Sequence, residues 1–279
     1  MIASFLIALR EGIEAALIVG IILSYMKKVN AHGLMRPVYM GVALGILASA
    51  AVGALFMLLA VEFEGTYEQL FEGATMFLAA AILTTMILWM RKNSQAYSSD
   101  LKRKVQFALS GKESLGLSLL AFVSILREGI ETVLFLGSAS FTSTGLQLLI
   151  GGALGLGLSA AIGIVMIKYS VRLNLKTFFN VTGIFLILFA AGLVARGLGE
   201  FQEAGIVAPV IDHVWDTNNI LSDQGDAGKI LTALFGYVGA PSLVQVLGYA
   251  SYWVLIALWL YRDEMSTTFR KAYAAFRPA

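Results

Sequence analysis

The sequence predicts an all-α integral membrane protein with seven transmembrane helices, and three observations carry that prediction. Hydrophobic residues make up 58% of the 279 residues and charged residues only 14%, whereas soluble domains carry about 25% charged residues. The mean hydropathy is +0.79. Apolar runs of about 20 residues, the length that spans a bilayer as a helix, recur along the chain, and the connections between them alternate in charge.

Each predicted span is one of these apolar runs. The first residues, MIASFLIALREG, lack a basic region and a small-residue cleavage pattern, so they predict a retained helix rather than a signal peptide. The seven predicted spans are Ile2–Met26, the run between Arg36 and Glu62, the run between Glu72 and Arg91, two spans within Leu115–Ile167 separated by a break at Ser138–Gly145, the run between Lys176 and Arg196, and Leu243–Tyr261.

The charge of the connections predicts the orientation, because lysine and arginine mark the cytoplasmic side of a membrane protein. The first, third and fifth connections and the tail are basic, whereas the second and sixth are acidic and the fourth, near Thr142, is uncharged. We therefore expect the N-terminus outside and the C-terminus in the cytoplasm. The basic residues include Lys27, Lys28, Arg36, Arg91, Lys92, Lys102, Arg103, Lys104, Lys112, Lys168, Arg172, Lys176, Arg262, Arg270, Lys271 and Arg277.

Two segments outside the spans also have a predicted structure. Ser94–Ser110 reads as a basic amphipathic helix on the inner membrane surface. Gly199–Pro241 is too long for a tight turn and is expected to hold short helices over the outer mouth. The predicted organisation is a three-helix repeat with the amphipathic segment at 1–113, an inverted three-helix repeat at 114–198, an outer acidic segment at 199–242, and a seventh helix with a basic tail at 243–279.

A charged motif occurs twice inside the predicted spans, as LREGIEAALIVG at Leu9–Gly20 and as LREGIETVLFLG at Leu126–Gly137, 117 residues further on. The first helix is expected to run inward and the fourth outward. The sequence therefore predicts two inverted halves of three helices each, followed by one further helix. This architecture is typical of secondary transporters, whose binding site lies between the two repeats near the middle of the membrane. The second and third helices show no comparable match to the fifth and sixth, so this repeat rests on the motif.

The three charges of each motif copy share one arc of a helix, at 100° per residue. Arg10 and Glu14 are one turn apart and can form an ion pair, as can Arg127 and Glu131. Two facing copies offer four carboxylates and two guanidiniums, which suits a hard cation that prefers oxygen ligands. The candidate metal ligands are Glu11, Glu14, Glu128 and Glu131, with Arg10 and Arg127 as supporting partners.

A purely structural role for these charges is the alternative, in which the Arg–Glu pairs only lock helices together. Two copies at similar depth in inverted halves favour the functional interpretation, because ionisable residues inside a membrane are costly and usually mark a functional site. Ion pairs are also a poor route to mere stability, since desolvation offsets most of their attraction.

Composition excludes several classes of protein. The chain has no cysteine, so disulfides, zinc–thiolate sites, iron–sulfur clusters and thiol catalysis are excluded. The two histidines, His32 and His213, make a membrane haem with paired axial histidines unexpected. The net charge of +2 is too small to suggest a nucleic-acid partner.

With two R-E-G-[IL]-E motifs in the first and fourth of seven helices, the sequence resembles the high-affinity iron permease family, the oxidase-dependent iron transporters, and in particular its bacterial Efe-type branch. The resemblance covers nearly the whole chain. Further stretches that agree are YEQLFEG (Tyr67–Gly73), ILTTMILWMRK (Ile82–Lys92), RLNLKTFF (Arg172–Phe179), AAGLVARG (Ala190–Gly197), QEAGIV (Gln202–Val207) and FGYVGAPS (Phe235–Ser242).

The resemblance implies a multi-pass permease in the lipid of the inner (plasma) membrane that imports iron. It implies that the motif glutamates are iron ligands, that the chain is not an enzyme and that no cofactor is permanently bound. It also implies extracytoplasmic partners that oxidise or deliver iron, namely a multicopper oxidase in fungi and periplasmic iron-binding and haem-peroxidase-like proteins in bacteria.

Acidic residues near the predicted outer face are candidate entrance ligands. Glu68 and Glu72 lie one turn apart at the predicted start of the third helix, where they could collect a metal ion, although a helix N-terminus by itself favours acidic residues. Glu203 is supported by the resemblance, but Gln202 stands before it where some relatives are expected to have histidine. Asp212, His213 and Asp216 have a spacing compatible with a surface metal site or with a solvated loop.

The leading hypothesis is an iron importer for Fe³⁺ or Fe²⁺ that works by alternating access or by a gated relay. A permease for another divalent cation, such as lead or manganese, is the main alternative, because carboxylates alone do not choose among hard metals. A membrane di-iron oxidase is less well supported, since such sites combine glutamates with E-x-x-H pairs and the chain has none.

Overall fold

The computed structural model describes residues 1–110, 114–141, 143–169, 175–208, 210–223 and 225–275. Across these ranges the chain forms α-helices and one short 3₁₀ turn at His32–Leu34, and no strand. The helices are α1 (Ile2–Lys28), α2 (Met35–Glu62), α3 (Thr66–Ser110), α4 (Ser114–Ser140), α5 (Gly145–Tyr169), α6 (Leu175–Glu203), α7 (Asp226–Phe235) and α8 (Leu243–Ala275). Lys112, Thr142, Arg172 and Arg277, named above for their predicted connections, lie outside the described residues.

Five helices, α2, α3, α5, α6 and α8, contain a segment long and apolar enough to cross a membrane. The motif helices α1 and α4 are each 27 residues long, which is also enough to span a bilayer. Each carries the three charges of its motif copy at least eight residues from either end of the helix, and this charge content distinguishes α1 and α4 from the five more apolar helices. The all-helical, multi-pass architecture is thus confirmed, while the count of seven spans and their orientation stay predictions.

The helices pack in pairs that join the first three to the next three. α1 packs along α5, α2 packs along α4, and α3 packs along α6, while α1 and α4 cross each other. α7 and α8 both lie against α6. Helices α1, α2 and α3 make few contacts among themselves, so the core is built between the two halves rather than within either of them.

Small residues allow these close pairings. A Cβ atom at Gly45 of α2 would lie 2.9 Å from Cβ of Ile125 on α4, and one at Gly155 of α5 would lie 2.9 Å from Cβ of Ala8 on α1. Both distances are shorter than side chains tolerate. Glycine therefore lets each pair of backbones approach closely, as small residues do in membrane helix packing.

These two interfaces use equivalent residues, because Ala8 and Ile125 occupy matching positions of the motif helices. The sequences of α2 and α5 share the pattern G-x₃-G-x₃-S-x₃-G, offset by 110 residues. Its members are Gly41, Gly45, Ser49 and Gly53 in α2, and Gly151, Gly155, Ser159 and Gly163 in α5. The expectation that the second helix has no match in the fifth is therefore wrong.

The pair α3 and α6 shows the same reciprocity. Gly73 of α3 contacts the ring of Phe201, and Gly197 of α6 contacts the ring of Phe77. The two rings stack with centroids 5.5 Å apart and an interplanar angle of 3°. The two halves are thus related by the repeat. When α1, α2 and α3 are replaced by α4, α5 and α6, the α1–α5 pair corresponds to the α4–α2 pair, and the α3–α6 pair corresponds to itself.

Two helix boundaries differ from the prediction. α3 begins at Thr66, so Glu72 lies nearly two turns inside the helix rather than at its start. α6 continues to Glu203, past the predicted end at Arg196, and the predicted boundary between 198 and 199 falls inside it. Glu72 and Arg196 mark the predicted limits because they are charged, whereas in the structure both helices continue past them, and Phe201 of α6 contacts Gly73 of α3 there.

The predicted amphipathic segment Ser94–Ser110 is not a separate helix but the continuation of α3. Leu101 and Val105, one turn apart, are buried against Ile22 and Met26 of α1. Arg103 and Lys104 are exposed on the opposite side. The amphipathic pattern is therefore confirmed in this part, but its apolar face covers the ends of other helices.

The segment between α6 and α8 holds one helix in its described part, the ten-residue α7. α7 ends at Gly236, which has φ of 67° and lies in the left-handed region that glycine adopts readily. Gly236 also contacts Gly192 of α6. This contact places α7 against α6, and the prediction of short helices in this segment holds for α7.

Candidate metal site

The crossing of α1 and α4 brings three motif carboxylates together. Oxygen atoms of Glu11, Glu128 and Glu131 all lie within 4.8 Å of one another. Within the described ranges this is the only group of three or more aspartate, glutamate, histidine or cysteine side chains that could hold a metal ion. We call it the carboxylate cluster.

A glycine in each motif lets its helix pack closely against a neighbouring helix beside this cluster. Gly12 of α1 touches Ser159 of α5, and Gly129 of α4 touches Ser49 of α2, in both cases without room for a Cβ atom. Each serine hydroxyl donates to a carbonyl of its own helix, Ser49 to Gly45 and Ser159 to Leu156, both at 2.8 Å. The serines therefore lie beside the motif glutamates with their donors already used.

The carboxylate cluster is buried and short of hydrogen-bond donors. The residues Glu11, Glu14 and Glu128 are at most 2% exposed. Neither oxygen of Glu11 has a hydrogen-bond partner, and the same holds for Oε2 of Glu128 and Oε2 of Glu131. Buried polar atoms almost always have partners, so four unpaired oxygens in one place are the arrangement that a bound cation would satisfy.

Two arginines neutralise part of the charge. Nε of Arg10 lies 3.2 Å from Oε1 of Glu14, and NH1 of Arg10 lies 4.0 Å from Oε1 of Glu11. Arg127 donates to Oε1 of Glu128, with NH2 at 2.6 Å, and its Nε lies 3.4 Å from Oε1 of Glu131. Four ionised carboxylates with two guanidiniums leave a net charge of about −2, which favours a cation.

The two motif copies are not equivalent in their surroundings. The side chain of Arg10 is 1% exposed, whereas that of Arg127 is 53% exposed. Glu131 belongs to the carboxylate cluster, but Glu14, at the matching position, lies outside it beside Arg10. The structure therefore brings together three of the four predicted motif ligands.

A cavity of about 660 Å³ lies beside the carboxylate cluster, between α1, α2, α4 and α5. Its lining is mostly apolar and includes Glu11 and Glu128 together with Ser49 and Ser159. Two of the three clustered carboxylates thus border open volume, so a small ion could reach them without displacement of the backbone.

The predicted entrance residues form a looser arrangement on α3 and α6. Glu72 is half-buried, and the carboxylates of Glu68, Glu200 and Glu203 are close enough to repel its charge. Gln202, which stands where a histidine was considered, accepts a hydrogen bond from Ser242 through its side-chain oxygen. That contact gives Gln202 a structural role at the end of α6.

The other outer candidates are exposed and lie apart from these helices. Nδ1 of His213 lies 3.3 Å from the carbonyl of Ala240, and Asp216 accepts a hydrogen bond from the backbone of Asn218. Asp212 is also exposed. In the described part of the chain these three side chains do not form a metal-binding group.

Sequence reasoning missed Glu200 and Arg196 as residues of the helical bundle. They lie one turn apart on α6, the same i, i+4 spacing as Arg10 and Glu14. That spacing was the available signal. A predicted span that ends at Arg196 places Glu200 in a connection, so the spacing does not stand out in the sequence, whereas α6 continues to Glu203.

Two comparisons place the chain among known proteins. Residues 1–262 match the model of the "Iron permease FTR1 family". A ferrous iron permease, EfeU, of Yersinia pestis is 36% identical over 279 residues, which cover 99% of both chains. EfeU of Escherichia coli O157:H7 is 35% identical over 248 residues, or 88% of this chain and 90% of the relative. No solved structure matches the chain.

Proposed function

The chain belongs to the FTR1 iron permease family, and from that membership we propose that iron crosses the membrane through the carboxylate cluster of Glu11, Glu128 and Glu131. The chain is a multi-pass membrane permease and not an enzyme. We further propose seven spans, α1 to α6 and α8, with the N-terminus outside, in the inner (plasma) membrane.

The observation that carries this proposal is the set of four buried carboxylate oxygens without donors at the crossing of α1 and α4. An iron ion that leaves water must exchange its hydration shell for other oxygen ligands. Clustered carboxylates supply such ligands at a depth where water does not. An iron ion would also offset the net negative charge that the two arginines leave.

The neighbouring acidic residues fit an entrance on the predicted outer side. Glu72, Glu68, Glu200 and Glu203 would raise the local concentration of a cation before it reaches the cluster. We include Asp212 and Asp216 in the proposed entrance as residues further from the cluster. Glu14, held by Arg10, would be the next ligand once an ion leaves Glu131, and this makes a relay within the motif pair.

The relatives named above are called ferrous iron permeases, and we propose Fe²⁺ as the transported ion on that ground. An all-carboxylate ligand set also accepts Fe³⁺, and it does not by itself reject manganese or lead. We propose that iron comes from an extracytoplasmic protein that oxidises or delivers it, and that the permease holds no permanent cofactor.

The test is uptake of radioactive iron into proteoliposomes, with ferrous and ferric iron supplied separately. Glu11→Gln, Glu128→Gln and Glu131→Gln each remove one charge from the cluster, and we expect each to abolish saturable uptake. Glu64→Gln, a change at an exposed residue between α2 and α3, is the matched control and should transport normally. Competition by manganese and lead in the same vesicles measures the selectivity.

The result that would overturn the proposal is normal uptake by all three cluster variants. Iron binding to the purified variants, measured without a membrane gradient, separates loss of the site from loss of movement. If the variants bind iron normally but do not transport it, the cluster governs a conformational step rather than coordination.

A further inference from the structure

A polar cavity of about 300 Å³, which shares no lining residue with the carboxylate cluster, lies between the α4–α5 turn, α6 and α7. A single water molecule needs only about 10–15 Å³ of such space. Its lining carries two cationic side chains and one carboxylate, with several hydroxyl groups. The residues that matter here are Arg196, Lys229, Asp223, Ser143, Thr144 and Thr232.

Arg196 is the deepest charge of this cavity, on the mostly buried face of α6. Its Nε atom is buried and has no hydrogen-bond partner in the part of the chain that the structure describes. Asp223 and Glu200 are close enough to attract it electrostatically. A guanidinium carries five N–H donors in a fixed fork that matches oxyanions, and Arg196 has at least one unused donor, at Nε, while it lines the cavity.

The opposite wall adds to the positive character. Lys229 comes from the first turn of α7, and Ser143 and Thr144 precede the first residue of α5. The backbone N–H groups at the start of a long helix attract anions. Asp223 is the counter-charge, and its Oδ2 atom accepts a hydrogen bond from the backbone of Gly239 at 3.3 Å.

We propose that this cavity binds a small multivalent oxyanion, either phosphate or a small polycarboxylate. The cavity carries an excess of one positive charge, so it repels the iron that the carboxylate cluster attracts. Water alone would leave Arg196 with only Asp223 and Glu200 as counter-charges. An oxyanion of this size would accept from Arg196 and Lys229 together, and the hydroxyl groups of Ser143 and Thr144 would complete its shell.

Isothermal titration of the full-length protein in nanodiscs tests this proposal, with inorganic phosphate and citrate as separate probes at constant ionic strength. We expect saturable binding of at least one probe by the unchanged protein. Lys229→Gln and Arg196→Gln should each weaken binding at least tenfold. Lys28→Gln removes an exposed cation from the end of α1 and should bind like the unchanged protein.

Asp223→Asn should have the opposite effect on the binding of the oxyanion. It removes the negative charge of the cavity but keeps an oxygen that can accept from Gly239, so binding should become several-fold tighter. This gain also guards against misfolding, because a damaged protein does not bind more tightly.

Binding of phosphate alone would identify an inorganic oxyanion, and binding of citrate alone a carboxylate; either supports the proposal. Absence of saturable binding of both probes overturns it. Equal affinities of Lys229→Gln and the unchanged protein also overturn it. The readout does not involve iron, so this proposal can fail while the iron pathway stands.

Discussion

Arg10 and Arg127 hold the same position in the two motif copies, yet one is enclosed and the other is half-exposed. An enclosed guanidinium cannot be replaced by water when it is removed, so its two glutamates would be left as buried, uncompensated charges. Around Arg127, water or a lipid headgroup can take over part of the compensation. The two arginines should therefore differ in their contribution to stability.

We expect Arg10→Gln to destabilise the protein by about 3–5 kcal/mol, the cost of breaking a buried ion pair. Arg127→Gln should lose clearly less, since its side chain is 53% exposed. Thermal unfolding of the two purified variants in the same detergent measures the difference. Equal losses would show that the exposure of Arg127 does not persist in the membrane protein.

Glu11 and Glu14 lie on one helix but only Glu11 is in the carboxylate cluster. We expect Glu11→Gln to weaken iron binding more than Glu14→Gln, because Glu14 pairs with Arg10 instead. Equilibrium binding of iron to the two purified variants gives the comparison. A larger loss for Glu14→Gln would mean that iron sits deeper in the first motif copy than the cluster indicates.

The sequence predicts that the three charges of each motif copy lie on one side of their helix. It does not predict which carboxylates of the two copies come into contact. Helical spacing puts Arg10, Glu11 and Glu14 on one arc, and the structure confirms that arc. Which carboxylates converge depends on the crossing of α1 and α4 and on side-chain rotamers. Neither can be read from a single helix, so the separation of Glu14 from Glu131 was not predictable.

At the scale of single helices, α5 offers a matched pair of glycines two residues apart. A Cβ atom at Gly155 would lie 2.8 Å from the backbone nitrogen of Leu9 on α1, whereas Gly157 has open space around it. Gly155→Ala should cost about 1–3 kcal/mol through overpacking. Gly157→Ala should be neutral or stabilise by up to about 1 kcal/mol through helix propensity.

Thermal unfolding in detergent distinguishes these two alanine variants. If Gly155→Ala is as stable as Gly157→Ala, α1 and α5 do not approach as closely as described. Uptake assays on the same samples show whether this interface also matters for transport.

The continuation of α3 beyond the membrane-length segment makes a second test. Leu101 is buried against α1, while Gln106 on the same helix is exposed. Leu101→Ala should destabilise the protein by about 2–5 kcal/mol, and Gln106→Ala should change stability by less than about 0.5 kcal/mol. A negligible effect of Leu101→Ala would indicate that this segment detaches from the bundle in solution.

Two features of the helices were missed for physical reasons. The repeat in α2 and α5 is offset by 110 residues and that of the motif helices by 117. One fixed shift cannot align both, because α1 continues further past its motif than α4 does and the connection after α1 is also longer. The ends of α3 and α6 were missed because Glu72 and Arg196 read as membrane boundaries. The structure continues α3 and α6 as helices past these charges, and Phe201, beyond Arg196, stacks on Phe77 of α3.

At the scale of the whole molecule, the pairing of helices links the two halves. The main partner of α1 is α5, that of α2 is α4, and that of α3 is α6. Movement of one half as a rigid body against the other would break every one of these interfaces. Access to the carboxylate cluster should therefore change through local shifts of helices, such as around Arg127, and not through rocking of intact halves.

Fragments 1–112 and 113–279 test this interlocking directly. We expect each fragment expressed alone to be degraded or aggregated, because its buried small-residue faces lack their partners. Co-expressed fragments should purify together through a tag on only one of them. A stable, monodisperse 1–112 fragment on its own would contradict the interlocked arrangement.

The same pairing has a consequence for biosynthesis. When α1, α2 and α3 have left the ribosome and entered the bilayer, none of their principal partners has yet been made. The motif charges of α1 must then wait in the membrane, or inside the insertion machinery, until α4 and α5 arrive. Assembly is thus postponed to the second half of translation, and a pause or truncation before α5 would leave Arg10, Glu11 and Glu14 of α1 exposed to lipid.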